Sequence, residues 1–179
     1  MQEWNTVITV HERGFERACQ ILGDFGKVKR TDFFNALVMK ADDVEQMLET
    51  LRSRSLEDPE FLSFLSRLVP VTSTFTFQSP EEFEKRSKEV ALAWIDELSN
   101  RGFHVRMHRR GFKGRLSGFV EEQFLDNILL EALREAGTPG HITFENPDAV
   151  IAVETIANWA GLSLWTREQL QRYPFIRVD

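Results

Sequence analysis

Between Leu98 and Val120 the chain places six lysines and arginines and no aspartate or glutamate. On a strand from Phe103 to Arg110, Arg106, His108 and Arg110 share one face, and Val105 and Met107 share the other. Arg109 has the parity of the core side, so it is expected to emerge at the strand end. Lys113 and Arg115 carry the charge on into the loop Gly111 to Gly118, whose glycines let a backbone approach a ligand closely. Arginine presents a planar fork of donors that suits phosphate. A strip of this kind neutralises several phosphates and gives strongly salt-dependent binding. The alternative is structural: a charged edge strand that resists aggregation, or a partner for the acidic helices. Charge alone does not separate the two.

Other chemistry is poorly represented. The chain has no GxxxxGK[ST] phosphate loop, no GxGxxG after a strand, no HExxH and no GxSxG. His104 and His108 are four apart, a spacing that suits a metal on a helix. On a strand they lie about 13 Å apart, and they read as polar residues on an exposed face. Cys19, the single cysteine, falls on the apolar face of the first helix and reads as a buried structural thiol. Glu81-Glu82 and Glu121-Glu122 open helices, where carboxylates suit the helix dipole. No catalytic set, metal set or cofactor loop is visible, so neither a cofactor nor an activity of the chain's own is expected.

The elements that must position the strip follow from periodicity. Asn5 to Val10 reads as a strand and Arg13 to Leu22 as a helix. Lys27 to Thr31 and Ala36 to Lys40 are short extended runs joined by a hairpin loop at Asp32 to Asn35. Asp42 to Arg54 is a second helix with an aspartate cap. Pro59 suits the start of a further short helix carrying Phe61, Leu62, Phe64, Leu65 and Leu68. Val69 to Phe77 is extended. This is the split βαβ, or ferredoxin-like, order. Ser79-Pro80-Glu81-Glu82 starts a long helix to Asn100, and the domain boundary is expected there: 1–78 and 79–179. Beyond it come the basic strand, a helix from Phe119 to Ala136, a short strand from His141 to Phe144 and a turn at Asn146-Pro147-Asp148. Ala149 to Ile156 reads as a central strand, Trp159 to Trp165 as another, and Thr166 as the cap of a last short helix ending at Tyr173-Pro174.

The 179 residues are 42% hydrophobic and 28% charged, close to the soluble average, with a net charge of -6. An acidic whole argues against indiscriminate polyanion binding. No apolar run approaches the ~20 residues of a membrane helix. Met1 to Val10 lacks the pattern of a secretory signal, and one cysteine suits a reducing compartment. The cytoplasm is the expected location.

The run Asn146-Pro147-Asp148-Ala149-Val150-Ile151-Ala152-Val153-Glu154-Thr155-Ile156, continuing through Ala160-Gly161-Leu162-Ser163-Leu164 to Thr166-Arg167 and Tyr173-Pro174, resembles the closing signature of the THUMP domain family. Val105 to Lys113 resembles that family's basic strand and RRG segment. The resemblance covers about Ser79 to Asp179, and a ferredoxin-like unit is what such proteins carry in front of it. It implies an α+β chain: a ferredoxin-like unit followed by a THUMP-type α/β domain. It also implies a tRNA-binding role near the acceptor stem and 3′ end, with no DNA or membrane partner. The nearest likeness is to the stand-alone adaptor that works with the tRNA cytidine acetyltransferase, so the chemistry is expected from a partner enzyme. Carried over by the resemblance are Arg106, Arg109, Arg110, Lys113 and Arg167; with His108 and Arg115 of the basic strip they form the expected RNA-binding set. Asn146, Asp148, Glu154 and Gly161 match the signature and read as fold-making. Trp159 and Trp165 read as core or as a stacking surface. A rival reading from another class is a protein-interaction scaffold that keeps the fold without RNA, motivated by the acidic N-terminal unit.

Overall fold

The computed structural model describes residues 3–179. Met1 and Gln2, where the stretch judged to lack a signal begins, lie outside the described residues. The chain forms an N-terminal unit, up to Pro70 with Leu170–Val178, and a second unit, Val71–Gln169 with Asp179.

In the N-terminal unit, β1 (Thr6–Val10), α1 (Phe15–Leu22), β2 (Val28–Arg30), β3 (Ala36–Met39), α2 (Val44–Glu57) and β4 (Leu65–Pro70) follow in sequence. The sheet order is β2-β3-β1-β4, and every pairing is antiparallel. This is the ferredoxin-like arrangement. Asp43 caps α2 by accepting from the Gln46 N–H at 3.0 Å. The helix expected after Pro59 is absent. Phe61, Phe64, Leu65 and Leu68 are buried as expected, but β1 takes residues 65–70 as its ladder partner. Pairing overrides the local three-and-four spacing. Cys19 is half-buried rather than buried.

The run Val69 to Phe77, expected as one strand, is divided. β4 ends at Pro70, and β5 (Ser73–Thr76) belongs to the second unit, where it pairs with β9. The Thr72 N–H already donates to the Leu162 carbonyl at 2.8 Å. The second unit continues with α3 (Pro80–Leu92), α4 (Ile95–Leu98), β6 (Gly102–His108), α5 (Gly118–Glu135), β7 (His141–Ile142), β8 (Ala149–Ile156), β9 (Trp159–Thr166) and α6 (Arg167–Arg172), whose last residues pass to the N-terminal unit. The long helix expected to Asn100 breaks at Ala93-Trp94.

The second sheet has the order β5-β9-β8-β6-β7. β8 is central and buried at all eight positions, which suits its apolar run from Ala149 to Val153. β6 lies parallel to β8, but β7 covers β6 only at Gly102 and Phe103. The open edge beyond is closed by α5. Its Asp126 accepts from the Val105 N–H and its Glu122 from the Met107 N–H, both at 3.0 Å. Two carboxylates four apart on one helix face thus reach two N–H groups two apart on a strand edge. The core of this unit gathers Phe77, Phe83 and Leu98 with Phe103, Val105, Leu125, Leu129, Ile151 and Val153. Among the described residues no helix is long and apolar enough to cross a membrane.

Candidate nucleic-acid interface

β6 alternates as expected: Val105 and Met107 are buried, and Arg106 and His108 are half-buried. His104 departs from this. It shares their parity but is fully buried. The loop after β7 and Asp179 cover the start of that face. The His104 ring bonds through Nδ1 to the Thr143 carbonyl oxygen at 2.9 Å and through Nε2 to Asp179 at 3.1 Å, and Phe144 lies against it. Among the described residues no group of three or more His, Cys, Asp or Glu is placed to hold a metal.

The arginines divide into two kinds. Arg110 turns inward: its guanidinium donates to the Glu154 carboxylate at 2.7 Å, and that carboxylate is wholly buried. Arg106 lies 3.3 Å from Asp179 and 3.8 Å from Glu122. Arg167 donates to the Asn146 carbonyl at 2.7 Å and to Asp148 at 3.0 Å. Asp148 also accepts from the Gly102 N–H at 2.8 Å. That N–H, and then Arg167, hold its carboxyl below the usual range. Arg167 therefore pins the turn at the first residue of β6. The loop cations follow the last residue of that strand, about 20 Å away along it. Arg167 does not share a cluster with them.

Arg109, Lys113 and Arg115 are the second kind. Beyond His108 the chain enters a tight loop. Gly111 (φ 100°), Phe112 (φ 54°) and Gly114 (φ 78°) all take left-handed backbone. For Phe112 this costs about 1 kcal/mol, offset by a ring packed 4.8 Å from that of Phe77. The Phe112 carbonyl accepts from the N–H groups of Arg115 and Leu116, and Leu116 is buried. Pinned at these two apolar residues, the loop holds Lys113, Gly114 and Arg115 out in solvent. Arg109 donates to the Gly111 carbonyl, two residues on, and Arg115 to the Gln78 carbonyl at 3.2 Å.

Arg109 and Arg115 face the start of α5. Arg109, Gly114, Arg115, Leu116, Ser117 and Gly118 line an open cleft of about 390 Å³. Ser117 caps the helix, accepting from the Val120 N–H. Gly118 and Phe119 have no carbonyl of their own helix to bond. The eighteen-residue helix therefore adds its positive end to the two arginines. Phe119 stands beside it at 68% exposure. The sequence reading passed over Ser117, Gly118 and Phe119. The signal was present in a serine cap following the glycine loop. Trp165 proves to be core, with its Nε1 donating to Ser163 at 2.8 Å, and Trp159 is half-buried.

No protein-family model and no curated protein matches this chain. Solved structures do share its fold. PH1313 from Pyrococcus horikoshii Ot3 superposes with a TM-score of 0.62 at 10% identity, over 92% of this chain and 55% of that one. A 4-thiouridine synthetase, solved as an RNA complex with bound ATP, gives 0.57 at 15% identity, over 92% and 42%. TrmN from Thermus thermophilus gives 0.61 at 14% identity, over 90% and 44%. The fold is THUMP-like. The chain spans between 42% and 55% of the length of these structures.

Proposed function

We propose that this chain binds tRNA and presents it to a separate modifying enzyme, with no chemistry of its own. The observation that carries the reading is the cluster of Arg109, Lys113 and Arg115 around the start of α5. Two arginines, a helix N-terminus and a glycine-bearing loop converge on one cleft, with Lys113 beside them on the same loop, which is a phosphate-binding arrangement. One structural neighbour was solved with RNA bound, and the family signature read from the sequence points the same way. The cleft meets the backbone of the acceptor stem, and Phe119 offers a ring face to an unpaired base near the 3′ end. Arg106 and His108 flank the RNA. Arg110 and Arg167 serve it indirectly, by holding the strand and the turn. The partner enzyme is of the acetyltransferase type.

The test is binding of bulk tRNA to the purified chain over a salt series, with duplex DNA as control. Replacing Arg109, Lys113 and Arg115 together by Ala should weaken binding by about tenfold or more. It should also flatten the salt slope by about two to three, since each phosphate contact contributes about 0.7 to 0.9. Unchanged affinity in the folded triple variant removes this cleft from the interface.

A further inference from the structure

The N-terminal unit carries a groove that the tRNA reading leaves unused. Its volume is about 560 Å³, within the ~300–1,000 Å³ of ligand clefts. It lies wholly inside this unit, between the second half of α2, the turn after it, the start of β4 and the segment Leu170–Val178.

Two chemistries line it. One wall is aliphatic and prolyl: Leu56, Pro59, Leu62 and Pro174. Leu56 is 70% exposed, a large side chain that folding leaves in water. The other wall is arginine. Arg172 is clamped by Glu49 at 2.7 and 2.8 Å, which leaves Arg52 and Arg177 to face the groove. Glu60 is the one carboxylate in the lining. The unit as a whole, residues 1–70 with 170–178, holds twelve Asp and Glu against eleven Lys and Arg, so the groove is more basic than the unit around it.

The floor is a sheet edge. β4 ends the order β2-β3-β1-β4. Its register against β1 slips so that Val10 meets Leu65 and Thr9 meets Arg67. Ser66 is the extra residue of a bulge, outside the ladder. One step on, the edge is covered: the Leu68 N–H donates to the Phe175 carbonyl at 3.2 Å. Beside it the Arg67 side chain donates to the Arg177 carbonyl at 2.8 Å, and the Leu65 N–H donates to the Leu62 carbonyl, so Ser66 is the part of this edge that the groove reaches.

We infer that this groove docks an extended acidic peptide of a protein partner, with an aliphatic side chain against Leu56 and carboxylates on Arg52 and Arg177. An extended peptide read by pockets for its alternate side chains is a standard mode of recognition, and arginine is enriched at the centres of protein interfaces. RNA fits this site less well. Unpaired bases need open ring faces, and the lining offers one, His11, beside a Phe175 only 8% exposed and an aliphatic wall that matches neither base edge nor phosphate.

The test uses the full chain and a fluorescein-labelled peptide alternating leucine with aspartate and glutamate, followed by anisotropy at low salt. Saturable binding is expected. It should weaken about tenfold in Arg52→Glu with Arg177→Glu and about fivefold in Leu56→Ser. Leu56 is exposed, so that variant should keep the fold. A peptide with lysine at the acidic positions should not compete. Three results would overturn the inference: no saturable binding; loss only when Arg109, Lys113 and Arg115 are replaced; or displacement by an oligouridine as readily as by unlabelled peptide. Failure here leaves the tRNA reading untouched, because its test is read at the other cleft.

Discussion

Arg109 and Arg110 are neighbours in sequence and opposites in role. Arg110 pairs with a carboxylate, Glu154, that is fully buried. Removing one partner of such a pair strands the other charge, at about 3 kcal/mol or more. Arg110→Ala should therefore lower the urea midpoint clearly, whereas Arg109→Ala should leave stability nearly unchanged and reduce tRNA binding. Equal stability losses in the two variants would contradict this division. Glu121 makes a second prediction. It is buried in α5, one oxygen lacks a hydrogen-bond partner, and Glu84 and Glu81 lie close. Burial, and then those carboxylates, push its carboxyl from 4.5 up to about 8. The folded chain thus holds a proton that the unfolded chain releases above 4.5. The stability this gives is full below pH 4.5, declines as pH rises and is gone above about 8. Glu121→Gln should flatten that decline, measured as melting temperature from pH 5 to pH 9. A parallel decline in both proteins would refute it. The sequence reading placed Glu121 at a helix start but not in a core. Burial of a charged residue is set by what packs on it, here α3.

At the scale of elements, the segment Leu170–Val178 shows how far pairing reaches. Tyr173, Phe175, Ile176 and Val178 are buried in the N-terminal unit. Glu49 of α2 accepts from both Arg172 and Tyr173. The Arg172 hydrogen bond first, and then that of Tyr173, bring the Glu49 carboxyl from 4.5 down to about 2. Its contribution is therefore full above pH 4.5 and lost as pH falls through about 2. Glu49→Gln should speed amide exchange across residues 170–178 at neutral pH, and removing the segment should cost the unit several kcal/mol by apolar exposure. Unaltered exchange in the Gln variant would show the clamp to be idle. The order of strands and helices was legible, because each follows from local period, caps and turns. The β4 to β5 division was not. Nothing local in Val69 to Phe77 tells which of two sheets each half will join.

For the whole molecule, a net charge of -6 coexists with a concentrated basic cleft, so affinity for nucleic acid should be local and strongly screened. Binding of tRNA should fall steeply with salt and exceed that of duplex DNA at every concentration. Equal affinity for the two, with equal slopes, would reduce the interface to general polyanion attraction. By itself the sequence determined most of the order of elements, the caps at Asp43 and Ser79 and the place of the basic stretch along the chain, and through the family resemblance the fold class. The first three depend on neighbours within a few residues, where spacing and propensity act. Only the tertiary structure decided which cations remain available. Arg110 is taken by a glutamate 44 residues away and Arg167 by the turn at Asp148. Arg109, Lys113 and Arg115 are left at the start of α5. The return of Leu170–Val178 to the N-terminal unit was decided in the same way. Such partners are chosen when strands find their register and buried charges must find counter-charges, a choice that local spacing does not encode.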